Sequence, residues 1–262
     1  MTSNREFNLF MAYFRSLVRQ KSILLMMVAF PTIFLLAGWV SAETTDLSFD
    51  LNGQLITAPG RSVSVMSMVL ASGAFLASFI CFYVIITTRK DDLRLAQTGF
   101  SRLQILGAKL ATISILLFPS ILYILLIAMI MVEIRSMIFV GIAFSLGTLN
   151  YALIGILFGL IFRNELEATY ATLIIVVSDV GFLENPVFST LYNEPYMILA
   201  PGYYPSKLLL EASFQEPLNP VTPILFALVY ALVLLIIITL IFLRRTRLAS
   251  NSLRNPQIYS IV

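Results

Sequence analysis

The sequence predicts an all-α integral membrane protein, and three observations support this fold class. The 262 residues are 59% hydrophobic and only 12% charged, whereas soluble domains average about 25% charged residues. Apolar segments are spread over the whole length, and most Lys and Arg lie in the connections of one side. We expect one bundle of six transmembrane helices with an N-terminal interfacial helix, a short charged cytosolic helix and outer-leaflet re-entrant half-helices.

Residues 1–22 predict an amphipathic helix in the plane of the lipid headgroups. One face carries Phe7, Phe10, Met11, Phe14, Leu17 and Val18, and the other carries Arg5, Asn8, Arg15 and Arg19. Aromatic side chains suit the acyl boundary, and arginines suit anionic lipid. The alternative is a solvated helix packed on a neighbour.

Six apolar segments follow within the transmembrane domain that we assign to residues 23–243. They cover approximately residues 23–40, 63–88, 110–132, 137–162, 168–183 and 222–243. A spanning helix needs about 20 residues, so five are long enough or nearly so. The fifth reaches only about 24 Å at 1.5 Å per residue, less than the roughly 30 Å hydrocarbon core. The loop 41–62 reads as an irregular connection.

The distribution of charge predicts that both termini are cytoplasmic. With that orientation fourteen of the seventeen Lys and Arg are inside, which satisfies the positive-inside rule. The tail, 244–262, opens with a basic cluster at Arg244–Arg247, and its remainder from Leu248 is expected to be polar and disordered.

The region 87–109 is the one long charged island between apolar segments. Its spacing predicts a short helix that Gly99 ends, because glycine is common just past a helix end. The helix would have an apolar edge of Leu93, Leu95 and Ala96 surrounded by Lys90, Asp91, Asp92 and Arg94. We interpret it as a knob in water for a soluble partner; the alternative is a charged loop that only orients the chain.

The region 184–221 is broken by six prolines, with apolar runs too short to span a bilayer. Non-helical backbone at membrane depth must be buried in protein or line a cavity. Two short half-helices dipping into the outer leaflet and an ordered extracellular cap are equally compatible with this pattern.

Within the bundle, small and polar residues mark helix contacts or the transport path. The candidates are Gly73, Ala77, Asn150, Gly155, Gly159 and Asp179. Gly155 and Gly159 form a GxxxG pair, which more often marks packing than function. Asp179 is the only clear intramembrane acid, and its place near the outer end of the fifth segment favours an interfacial position.

Several kinds of chemistry are excluded by the residues present. Histidine is absent, and no phosphate-binding loop, nucleophile elbow or zinc spacing occurs. The scarcity of buried acids argues against an ion-driven carrier. A transporter of this kind would therefore take its energy from another subunit. A membrane-embedded enzyme acting on lipid or peptide through Asp179 or Glu184 is the alternative.

Taken together, the sequence resembles the ABC-2 type permeases of ABC exporters over almost its whole length. The resemblance rests on the leader with Arg15, Arg19 and Lys21, Phe30-Pro31 in the first segment, Ser101-Arg102 leading to Gly107-Ala108-Lys109, the six-span plan, and Leu199-Ala200-Pro201 before a short amphipathic piece. The stretch Lys90–Leu95 departs from the usual family pattern.

The resemblance implies a coupling helix at about 90–98 that docks on an ATP-binding subunit. Its contact residues would be Lys90, Asp91, Asp92, Leu93, Arg94, Leu95 and Gln97, with Glu165 and Glu167 adding a second contact. It also implies two ATP-binding subunits that hold ATP and Mg, no cofactor in this chain, and no nucleic acid. A second permease copy would complete an exit path lined by segments 1, 2 and 5.

The expected location is the plasma (inner) membrane of a prokaryote, and the expected cargo is an amphipathic peptide, antibiotic or drug. A non-transporting scaffold or immunity protein of the same fold is a further alternative.

Overall fold

The computed structural model describes residues 2–42, 44–51, 54–183, 186 and 195–254. Within them the chain forms α1 (Thr2–Val18), α2 (Lys21–Ser41), β1 (Asp46–Leu51), β2 (Gln54–Pro59), α3 (Gly60–Thr87), α4 (Arg89–Gln97), α5 (Arg102–Met131), α6 (Met137–Ile161), α7 (Glu165–Val176), α8 (Tyr203–Phe214) and α9 (Val221–Arg254). Five of these helices, α2, α3, α5, α6 and α9, are long and apolar enough to cross a membrane. The chain is therefore a predominantly helical, multi-pass membrane protein.

The core of the bundle is α3, which is apolar around its whole circumference. In its most apolar stretch 83% of the residues are buried inside the chain, against 28% for α2 and 22% for α9. A helix that is apolar on all sides needs either protein or lipid around it. α3 is surrounded by protein, and α2 and α9 present their outer apolar faces to whatever surrounds the bundle.

The predicted fifth span is divided into two kinds of helix. The 12-residue α7 is followed without a break by a 7-residue π-helical turn, Val177–Leu183. Together they reach at most about 28 Å, because the α-helical rise of 1.5 Å per residue is an upper limit for the π-helical turn. Among the described residues this segment does not form one of the long apolar α-helices, so five such helices are found and six spans stay a prediction.

The expectation of an irregular connection at 41–62 is wrong. β1 and β2 form an antiparallel hairpin in which Phe49 pairs with Ile56. Both side chains are buried, and the ring of Phe49 meets that of Phe214 edge to face, 6.5 Å between centroids. The hairpin therefore closes one end of the bundle, called the hairpin end below; the opposite end carries α1 and α4 and is called the α4 end.

The leader helix α1 uses a face that the sequence pattern did not single out. Leu9, Tyr13 and Leu17 are four residues apart and buried, where α1 packs on α5, whereas Phe7 is 57% exposed. Leu17 therefore contacts protein, which corrects its assignment to the lipid-facing stripe. The alternative, in which this helix packs on a neighbouring helix, is therefore found for one side of α1. Part of its aromatic face stays exposed.

Helix α8 lies along the half of α6 nearest the hairpin end. Pro201, just before α8, accepts a hydrogen bond from Asn150 in the middle of α6. At the other end of α8 the carbonyls of Ala212 and Ser213 accept from Ser136 and Arg135, just before α6 begins. α8 thus runs from the middle of the bundle to the hairpin end.

The last helix is longer than expected, because α9 continues to Arg254 and the disorder predicted from Leu248 does not begin there. Residues 255–262, Glu184 and most of 184–194 lie outside the described residues.

Candidate functional site

Helix α4 is the short charged helix predicted for the island between two apolar segments. It begins immediately after α3 and ends before Gly99, whose φ of 92° is readily adopted only by glycine. Lys90, Asp91, Arg94 and Gln97 are exposed, and Leu95 is half-buried. Leu93 lies in α4, but its side chain is outside the described part. The exposed residues form a mixed-charge surface at the α4 end.

Asp92 does not belong to that surface. Its carboxylate forms a salt bridge with Lys109 of α5, and it accepts a hydrogen bond of 2.9 Å from the hydroxyl of Tyr13 in α1. The ammonium of Lys109 also lies 5.6 Å from the centre of the Tyr13 ring. We call Tyr13, Asp92 and Lys109 the buried charge cluster. The expectation that Asp92 is an exposed contact residue is corrected by this geometry.

The buried charge cluster joins three helices because each charge buried in it needs an oppositely charged or hydrogen-bonding partner. Lys109 is 0% and Asp92 5% exposed, and an isolated buried charge costs several kcal/mol. The two opposite charges and the phenol neutralise and hydrogen-bond one another. Burial, and then the negative charge of Asp92, raise the pKa of Tyr13, so this phenol stays a hydrogen-bond donor. The cluster therefore favours one position of α4 against α1 and α5.

Arg89 joins the beginning of α4 to α6. Its guanidinium donates hydrogen bonds of 2.5 Å to the carbonyls of Gly159 and Phe162, at the C-terminal end of α6. Those carbonyls have no partner within the helix and carry its partial negative charge. A cation is stabilising at this place, so Arg89 links the two helices while it caps α6.

The start of α5 accounts for the Ser101-Arg102 pair seen in the sequence. Ser101 accepts from the backbone of Gln104 at 3.2 Å and Gln104 accepts from the backbone of Ser101 at 2.9 Å, which is a capping box. Arg102 donates to the carbonyl of Leu243 in α9 at 3.4 Å. This motif fixes the start of α5, seven residues before Lys109.

The acidic turn between α6 and α7 lies at the same end of the bundle. Asn164 caps α7 by accepting from the backbone of Glu167 at 2.9 Å, and its amide donates to the Glu167 carboxylate at 2.7 Å. Glu165 and Glu167 are both exposed. Acidic side chains in a first turn favour helix formation, so these residues have a local purpose whether or not they contact a partner.

The small residues of the interior lie at the contact of α3 with α6. A Cβ on Gly155 would be 2.6 Å from the Cα of Ser78, and one on Gly159 would be 2.7 Å from the Cβ of Ile85. Gly73 lies against Phe144 of α6, and Ala77 is fully buried. These positions allow the two backbones to approach closely; a place in a transport path stays a prediction for them.

Asp179 is buried inside the bundle among protein groups, and the interfacial depth expected for it stays a prediction. Its carboxylate accepts hydrogen bonds from the Tyr151 hydroxyl of α6 and, at 3.2 Å, from the backbone N–H of Gly202 that precedes α8. Anions are stabilised at a helix N-terminus. Asp179 thus ties the π-helical turn to α6 and α8, and this arrangement gives no support to carboxylate catalysis; Glu184 lies outside the described residues.

Sequence reasoning missed the partners Tyr13, Arg89 and Lys109. Lys109 was counted with a water-exposed loop, but α5 begins at Arg102, so the lysine lies one to two turns inside a long apolar helix. An ionisable residue in such a helix usually faces a partner. Applied to Lys109, that rule would have pointed to Asp92 as its partner, because Asp92 is the acidic residue nearest to Lys109 along the chain.

No protein-family model matches this chain, and a search of the curated proteins finds no match. The class that the fold and the site define is a helical multi-pass membrane protein with a charged surface helix attached to its bundle by buried polar contacts.

Proposed function

We propose that the chain is the permease subunit of an ATP-driven ABC exporter of the ABC-2 type. One observation carries the proposal: α4 has an outward face of Lys90, Asp91, Arg94 and Gln97, while Asp92 and Arg89 bind α1, α5 and α6. A force applied to the outward face would therefore reach three helices through charge-assisted bonds. A loop that only orients the chain does not need such attachments.

The proposed assembly has two copies of an ATP-binding subunit below two permease copies. The ATP-binding subunits bind ATP and Mg and contact α4, with Glu165 and Glu167 as a second contact. Both termini of the permease are cytoplasmic, in the plasma (inner) membrane of a prokaryote. The exposed charge of the α4 end and the positive-inside rule support this orientation.

In the membrane, α7 with its π-helical turn is the sixth span, and α8 is a re-entrant half-helix in the outer leaflet. The combined length of at most about 28 Å supports the first statement, because it approaches the roughly 30 Å of the hydrocarbon core. The position of α8 along one half of α6 supports the second. The exit path lies between two copies and is lined by the outer faces of α2 and α7, whose small and aromatic residues suit an amphipathic cargo. The sequence also named α3 as a lining helix, but α3 is buried inside its own chain.

The test is charge reversal of the outward face, with the three side chains of the buried charge cluster kept. In the double variant Asp91→Lys/Arg94→Glu both changed side chains are exposed. We expect the tagged chain, purified from its native membranes, to bring with it an ATPase subunit with a phosphate-binding loop, and the variant to recover at least tenfold less of it. Asp46→Lys on the exposed side of the hairpin is the matched control, and it should leave recovery unchanged.

Two outcomes would contradict the proposal. One is equal ATPase recovery from the wild-type chain and the Asp91→Lys/Arg94→Glu variant, with both properly inserted. The other is transport of a solute, or cleavage of a lipid or peptide, by the purified chain alone in vesicles without any nucleotide-hydrolysing subunit.

A further inference from the structure

Two adjoining cavities lie between α8 and α9 in the half of the bundle nearest the hairpin end. The shallow cavity, about 390 Å³, includes Lys207, Glu211, Asn219 and Thr222 in its lining. The deep cavity, about 200 Å³, includes Asn150, Phe226, Tyr230 and Val233. Ile198 and Tyr204 line both of them, so we treat the pair as one cleft, the α8–α9 cleft.

The contacts at the ends of α8 establish which cavity lies further from the hairpin end, and we call that one the deep cavity. Asn150 lies about 20 Å along α6 from its first residue, at 1.5 Å per residue, and binds the carbonyl of Pro201. The other end of α8 binds the backbone just before α6 through Ala212 and Ser213. Lys207 and Glu211, further along α8, are therefore nearer the hairpin end than Tyr204. The lining of the cleft therefore changes from charged to apolar with increasing distance from the hairpin end.

The shallow cavity has one cationic and one anionic side chain. The ammonium of Lys207 lies 4.5 Å from the centre of the Tyr203 ring. Glu211 is one helical turn further on and is buried, and its carboxylate accepts a hydrogen bond of 3.1 Å from the backbone of Leu218. A headgroup with a phosphate and an ammonium group has the complementary pair of charges.

The deep cavity suits an acyl chain. Its wall includes the ring of Phe226, stacked on Tyr204 with 4.7 Å between centroids, together with valines of α9. Asn150 is fully buried, and its side-chain oxygen accepts no hydrogen bond from the part of the chain that the structure describes.

We propose that the α8–α9 cleft binds a zwitterionic amphiphile, with its headgroup at Lys207 and Glu211 and its acyl chain beside Phe226 and Val233. The orientation matches that of a lipid whose headgroup faces the hairpin end. The inference needs only that the bundle lies in a bilayer, and it is independent of any ATP-binding partner.

The experiment uses the full chain in detergent micelles and native mass spectrometry. The probes are palmitoyl-lysophosphatidylethanolamine, its lysophosphatidylglycerol analogue, which has no ammonium group, and phosphoethanolamine, which has no chain. We expect the wild-type chain to bind the first most tightly. Lys207→Gln should weaken that binding at least tenfold, and Glu211→Gln should abolish the preference over the glycerol analogue.

A matched pair on α9 tests the deep cavity. Val233→Phe adds a ring to the wall of the deep cavity, whereas Leu232→Phe adds the same ring to a neighbour of similar exposure that does not line the cleft. Only Val233→Phe should weaken lipid binding, by at least tenfold, and this pair decides the matter if Lys207→Gln does not fold.

Three results would overturn the inference. Equal effects of the two phenylalanine variants would mean that lipid binds elsewhere. Phosphoethanolamine binding as tightly as the lipid would mean a site for the free headgroup alone. Loss of a dimer peak in Val233→Phe, with lipid binding unchanged, would assign the cleft to a second copy of this chain.

Discussion

The buried salt bridge between Asp92 and Lys109 allows a quantitative prediction. Lys109→Met keeps the length of the side chain but leaves the carboxylate of Asp92 buried with only the Tyr13 hydroxyl. Removing one partner of a buried ion pair typically costs about 3–5 kcal/mol. We expect a loss of that size for Lys109→Met and a similar loss for Asp92→Leu.

The double variant Asp92→Leu/Lys109→Met should be much more stable than the sum of the single effects suggests. Replacing both members of a buried pair with apolar side chains is often neutral. The remaining cost is about 1–2 kcal/mol for the Tyr13 hydroxyl, which loses its acceptor. The assay is reversible unfolding in mixed micelles followed by circular dichroism. Arg94→Met, on the exposed side of α4, is the control and should change stability by less than about 0.5 kcal/mol.

The reasoning would be refuted by additivity. If the double variant loses as much stability as the two single variants together, Asp92 and Lys109 do not interact in the folded chain.

Two further predictions concern the interior and the pH response. Gly155→Ala should destabilise the chain by about 1–3 kcal/mol through its contact with the Ser78 backbone. Gly141→Ala is in the same helix, but beyond the adjacent backbone of that helix no described residue lies within 4 Å of the new Cβ, so it should stabilise the chain by up to about 1 kcal/mol. Equal effects in the same unfolding assay would contradict the close α3–α6 contact. The raised pKa of Tyr13 means that the folded state keeps a proton that the unfolded state releases above about pH 10, so stability falls as the pH rises past that value. Unfolding measured from about pH 8 to 11 should show a smaller decline for Tyr13→Phe, and an unchanged decline would argue against the buried phenol.

The local features of α4 could be predicted from the sequence, and its orientation could not. Gly99 and the charge pattern give the helix and its end. Which of two adjacent carboxylates faces inward depends on a lysine in another helix, and the sequence pattern of a nine-residue helix does not contain that information. The side of α1 that packs on α5 was missed for the same reason, since aromatic and aliphatic stripes both recur at helical spacing.

Two other differences have identifiable physical causes. The hairpin at 46–59 was overlooked although Asn52-Gly53, a strong turn signal, separates its strands in the sequence. The burial of Asp179 was missed because its position along its own segment does not show which helices pack around it. Asp179 lies in a π-helical turn, and α8 begins beside it in the middle of the bundle. These two features place its carboxylate beside Tyr151.

The bond between Arg89 and the end of α6 has a geometric consequence. α6 has 25 residues and is about 37 Å long, and its far end meets the backbone of α8. If α6 tilts as a rigid rod by about 5° around the point that Arg89 holds, its far end swings by about 3 Å. A displacement of that size is comparable to the width of a small side chain, so a slight rocking of one short helix is enough to widen or narrow a gap on the opposite side of the bilayer.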